Sequence, residues 1–127
     1  MSNSTILHTA LVVEPNFLIA SVIEAPLVNA GYRVAIATDP DEAFTLLDAH
    51  EVHLALIDFR LQHAEPDGLV AKLKQRAIPF IFYTAATSEE VCEHFPDAQV
   101  ISKPCSDDDL LAAVAGLAPA EGSYQRA

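Results

Sequence analysis

Glu14, Asp58, Thr84 and Lys103 are the residues whose types and placement could do chemistry together, because each stands at the end of a short apolar run. The runs are Ala10-Leu11-Val12-Val13, Leu54-Ala55-Leu56-Ile57, Phe80-Ile81-Phe82-Tyr83 and Gln99-Val100-Ile101, the last running out at Ser102-Lys103-Pro104. If these runs are parallel strands joined by right-handed crossovers, their carboxyl ends share one edge, where ligands of open α/β sheets sit. Two acids, a hydroxyl and an amine converging there make a site for a phosphoryl group and a cation.

The elements that must position these residues can be read from periodicity. Short apolar runs alternate with longer stretches of helical spacing, the pattern of βαβ units, and five such units can be counted. Phe17, Leu18, Val22, Ile23, Leu27 and Val28 predict a helix that stops at Gly31, with a kink or early break at Pro26. Arg33 to Ala37 predicts the second strand, and Thr38-Asp39-Pro40 a cap and first turn for a helix ending near His50. The third strand, Leu54–Ile57, is apolar at every position, as expected when helices cover both faces of the sheet. Asp67 is expected to cap a helix carrying Leu69, Val70 and Leu73. Ser88-Glu89-Glu90 opens a short helix to about Phe95, Gln99–Ile101 forms the fifth strand, and Ser106 with Asp107-Asp108-Asp109 starts a last helix through Leu117.

At 127 residues the chain fits one domain, with a core over about 6–117 and a frayed tail over 118–127. Seven Lys+Arg against eighteen Asp+Glu give a formal charge of -11, which repels phosphate backbones and anionic lipid and argues against direct nucleic-acid binding. No apolar run reaches membrane-spanning length and the start carries no secretory pattern, so a cytoplasmic protein is expected. Cys92 and Cys105 lack CxxC or metal-ligand spacing and read as reduced thiols. His8, His50, His53, His63 and His94 show no ligand spacing and read as ordinary surface or core residues.

Val12-Val13-Glu14, Ile57-Asp58, Tyr83-Thr84-Ala85 and Lys103-Pro104, taken in order, resemble the marks of the response-regulator receiver family over about residues 6 to 117. The resemblance implies a flavodoxin-like (βα)5 doubly wound parallel sheet in three layers with strand order 2-1-3-4-5. It also implies that Asp58 accepts a phosphoryl group from a histidine kinase or phosphotransfer protein. By the same resemblance Lys103 and Thr84 contact that group, and Mg²⁺ is held by Glu14, Asp58 and the main-chain carbonyl of Arg60. Partners would read the surface of the fourth helix and fifth strand, and a homodimer through the fourth helix, fifth strand and fifth helix is possible.

Three positions depart from the family's pattern. Pro15 stands where receivers carry a second acid and offers no side-chain oxygen, so weak Mg²⁺ binding is expected. Val100 stands where an aromatic switch residue is usual. The loop Phe59–Gly68 lacks the usual proline and is about two residues longer. Plainer readings stay open: Glu14 as a solvated strand-end acid, Asp58 as a loop or capping residue, Thr84 as a β-favouring residue, and Lys103 as a structural ion-pair partner.

Two functions follow. The first is a stand-alone receiver, not an enzyme, relaying a two-component signal through Asp58 and by docking to a downstream protein. The second is a pseudo-receiver that works as a phosphorylation-independent interaction module or dimer, a reading that Pro15 and Val100 favour. An enzyme of flavodoxin or hydrolase type has little support, because glycine-rich phosphate loops and nucleophile elbows are missing.

Overall fold

The computed structural model describes residues 8–61 and 64–117. The expected tail over 118–127, the chain start, and His63 with its neighbour Gln62 lie outside the described residues. Five strands and five helices alternate: β1 (Thr9–Val13), α1 (Phe17–Asn29), β2 (Arg33–Ala37), α2 (Pro40–Ala49), β3 (Leu54–Ile57), α3 (Asp67–Gln75), β4 (Phe80–Thr84), α4 (Ser88–His94), β5 (Val100–Ser102) and α5 (Asp107–Leu117). All strand pairs are parallel, in the order β2-β1-β3-β4-β5, as expected.

Alternation along the strands divides the core into two clusters, because successive side chains point to opposite faces of a sheet. Leu11, Val13, Ala55, Ile57 and Phe82 face one way and pack with Ala43 and Leu47 of α2, Leu69 and Leu73 of α3, and Val91 of α4. Ala10, Val12, Leu54, Leu56 and Ile81 face the other way and meet Ala20, Ile23 and Leu27 of α1 and Leu110, Val114 and Leu117 of α5. Each of the Val, Leu, Ile and Phe side chains contributes about 1.5–3 kcal/mol on full burial, so both faces oppose any slip in register. This is the three-layer arrangement, with β3 central between β1 and β4.

The helix starts follow local chemistry. Asn16 caps α1, its side chain accepting from the N–H groups of Leu18 and Ile19. Asp39 caps α2 ahead of Pro40, and Ser106 Oγ accepts from Asp109 N at α5. Gly31 follows α1 at φ +100°, a conformation that side chains with a Cβ rarely adopt.

Three sequence expectations need correction. The early break at Pro26 does not occur: α1 runs on to Asn29. The lost hydrogen bond would have used the carbonyl of Val22, a residue on the exposed side of the helix, and the proline lies only three residues from the helix end. Asp67 does not cap α3. The helix begins at Asp67 itself after Pro66, which makes no side-chain cap, and the Asp67 carboxylate turns instead to His94. The fifth strand is displaced by one residue, to Val100–Ser102, because its ladder with β4 pairs Phe82 with Val100 and Thr84 with Ser102.

Candidate functional site

The ladder places the polar residues before any side chain acts. Beyond the last strand pairs, Glu14 N donates to Ala37 O, Asp58 N to Val13 O and Lys103 N to Thr84 O, each at 2.9 Å. These bonds continue the parallel register past the strand ends and hold four backbone positions along one edge of the sheet.

The side chains then converge. Asp58 Oδ1 accepts from Thr84 Oγ1 at 2.6 Å and from Arg60 N at 3.0 Å, while Asp58 Oδ2 accepts from Lys103 Nζ at 2.9 Å. Lys103 Nζ also donates to Glu14 Oε1, and the second Glu14 oxygen accepts from Asn16 N at 3.0 Å. Thr84 Oγ1 in turn accepts from Ala86 N at 3.2 Å. Glu14, Asp58 and Thr84 are the buried polar side chains among the described residues. All four carboxylate oxygens therefore have donors, as burial of such groups demands.

Burial is the strongest single influence on the Lys103 ammonium and works against its charge. The hydrogen bonds to Glu14 and Asp58, with the attraction of both carboxylates, outweigh it and hold the group above its ordinary value of 10.5. One cation between two buried acids leaves the cluster with one net negative charge. Lys103 also stands 5.8 Å from the ring centre of Tyr83, whose hydroxyl is pushed up by burial and by neighbouring Cys105.

The predicted Glu14, Asp58, Thr84 and Lys103 thus come together. Pro15 adds no side-chain oxygen, and Val100 packs, half-buried like Phe95, against the cluster that holds Phe82. As donors for a hard cation, the two carboxylates and a backbone carbonyl are right in kind but few in number, since Mg²⁺ prefers six oxygens and fills gaps with water.

Several contacts went unread in the sequence. Arg60 forms a two-pronged ion pair with Glu90, Nη2 lying 2.8 and 3.0 Å from the carboxylate oxygens. Glu90 also completes a capping box with Thr87. The Thr87-Ser88-Glu89-Glu90 spacing carries that signal openly. The backbone bond from Thr87 does most to hold the Glu90 carboxyl below its ordinary value, with Arg60 adding to it. Away from the strand ends, Asp67 pairs with His94 at 3.0 Å, and Glu65 stands close enough that ligand atoms of all three lie within 4.8 Å of one another. His53 Nδ1 accepts from Thr9 N, a structural role. Among the described residues, the large apolar side chains left exposed, Phe17, Leu18, Ile19, Val22 and Val28, all belong to α1. No helix among the described residues is long and apolar enough to cross a membrane.

The sequence matches the family model of the response regulator receiver domain over residues 10–115. Among solved structures, the CheY-like response regulator receiver domain protein from Methanospirillum hungatei JF-1 is 28% identical, with a TM-score of 0.77 over 87% of this chain and 93% of that one. The response regulator PhyR from Brucella abortus is 26% identical, with a TM-score of 0.82 over 94% of this chain and 51% of that one. The signal receiver domain of an HD domain-containing protein from Pseudomonas fluorescens Pf-5 shares the fold, with a TM-score of 0.84 at 22% identity over 93% of this chain and 99% of that one. No curated protein matches the sequence. With this topology and a match across most of its length, the chain belongs to the response regulator receiver domain family of two-component signalling.

Proposed function

We propose that the chain acts in the cytoplasm as a single phosphoacceptor domain, with Asp58 as the nucleophile. The observation that carries this reading is the grip on one carboxylate: Thr84 Oγ1 on Oδ1 and Lys103 Nζ on Oδ2, at the carboxyl ends of adjacent strands. An Asp58 oxygen attacks the phosphorus of a phosphohistidine, the N–P bond breaks as the O–P bond forms, and the histidine nitrogen leaves with the electron pair. Lys103 is placed to offset charge on the phosphoryl oxygens, and Thr84 to donate to one of them.

Glu14, Asp58 and the Arg60 carbonyl would hold Mg²⁺, with water in place of the acid that Pro15 lacks. The ion, when bound, neutralises charge on the phosphoryl oxygens. Lys103 already balances one of the two acids, which further weakens the pull on a cation.

The apolar stripe of α1 begins three residues after Glu14 and fits a partner that must reach the site. We assign the phosphodonor to this face, while a downstream protein or a second copy would read α4, β5 and α5.

Pro15, Val100 and the full set of donors around Glu14 and Asp58 favour a second reading, a phosphorylation-independent interaction module. Intact-protein mass after incubation with a small phosphodonor and Mg²⁺ separates the two. A phosphoryl adduct that is lost in Asp58→Asn supports the acceptor; its absence with both a small donor and a phosphorylated histidine protein leaves the interaction module.

A further inference from the structure

The two donors on Asp58 Oδ1 each lead to α4. Thr84 Oγ1 accepts from Ala86 N, in the turn before the helix. Arg60, whose main-chain N–H also bonds Oδ1, extends its guanidinium across to Glu90 in the first turn of α4, 30 residues on. The residue between them closes the other end: the Phe59 ring meets Phe82, His94 and Phe95 edge-on, with centroids 5.7, 5.9 and 6.2 Å away. Residues 59 and 60 therefore touch α4 at both ends.

The helix they touch is weakly anchored. It has seven residues and buries one side chain, Val91. A helix of this length does not persist by itself, so its position depends on its tethers. Val100 has no ring with which to sense a change at the strand ends.

We propose that the Arg60–Glu90 ion pair is the link through which the state of Asp58 sets the position of α4. The inference rests on the phosphoacceptor reading for its biological use. Adding a phosphoryl group turns a symmetric carboxylate into an acyl phosphate with one carbonyl oxygen, so the Arg60 N–H and the Thr84 hydroxyl must share their acceptors anew. Movement of the backbone at residue 60 then pulls on Glu90, and Glu90 holds Thr87 N–H in the capping box.

The test is hydrogen exchange of the Ser88–His94 amides in four proteins: wild type, Asp58→Ala, Arg60→Met and the double variant. Arg60→Met removes the guanidinium and keeps the main-chain N–H. Asp58→Ala should change exchange in α4 by about two- to fivefold, the range open to an exposed ion pair, and should do so only when Arg60 is present. A merely structural pair would shift α4 equally with and without the Asp58 carboxylate. An equal Asp58→Ala effect in both backgrounds, or none in wild type, overturns the proposal. Glu90→Gln, which keeps a residue able to complete the capping box, should abolish the Asp58 dependence as Arg60→Met does. Intact mass after treatment with acetyl phosphate is read separately. Lack of an adduct would sink the acceptor reading and leave the exchange result to judge the link.

Discussion

Lys103 and Glu14 lie 89 residues apart in the chain and are joined by an ion pair largely withdrawn from water, with side chains 15% and 4% exposed. The same ammonium binds Asp58, so one cation holds the first, third and fifth strand ends together.

Replacing that cation leaves two buried acids facing each other. Lys103→Met is expected to lower stability by about 2 kcal/mol, less than the ~3–5 kcal/mol for a fully buried pair because the ammonium keeps some solvent. Adding Glu14→Gln should recover part of the loss. Urea unfolding of the three proteins measures both.

The same cluster sets an alkaline limit. The folded state holds the Lys103 proton more tightly than the unfolded chain, so its contribution is complete below 10.5 and falls as pH rises through the higher folded value. The melting temperature of wild type should drop above that pH more steeply than that of Lys103→Met. Parallel curves for the two proteins would count against the assignment.

Supplying the missing acid should strengthen the cation site. Pro15→Asp adds a carboxylate before Asn16, outside α1, where proline is not needed for the helix. Mg²⁺ affinity by calorimetry is expected to rise on the order of tenfold, as ligand charge count governs such sites.

Docking at α1 predicts a split between donors. Leu18→Asp with Val22→Asp should slow phosphoryl transfer from a phosphorylated histidine protein by about tenfold or more, since losing a contact hot spot costs that much. Transfer from acetyl phosphate should be unchanged, because neither side chain contacts Asp58. Equal loss with both donors would place the effect in the fold instead.

Much of this architecture is legible locally. Fully apolar Leu54–Ile57 announces a strand covered on both faces, and the strand-end positions of Glu14, Asp58 and Thr84 follow from parallel register alone. Asp39-Pro40 marks a helix start whatever surrounds it, because cap and first turn are made by neighbouring residues. These features depend on side-chain period and on the backbone groups of the next few residues.

Tertiary structure alone decided the rest. The apolar residues of α1 surround the helix, and only packing against the sheet chose Ala20, Ile23 and Leu27 for burial and left Leu18 and Val22 outside. Asp67 was free to cap its own helix until the approach of α4 offered His94. Arg60 found Glu90 across a loop, and Lys103 found Glu14 across the sheet. A long charged side chain has many reachable partners in the sequence, and the fold selects one by bringing it within hydrogen-bond distance, at the surface for Arg60 and withdrawn from water for Lys103.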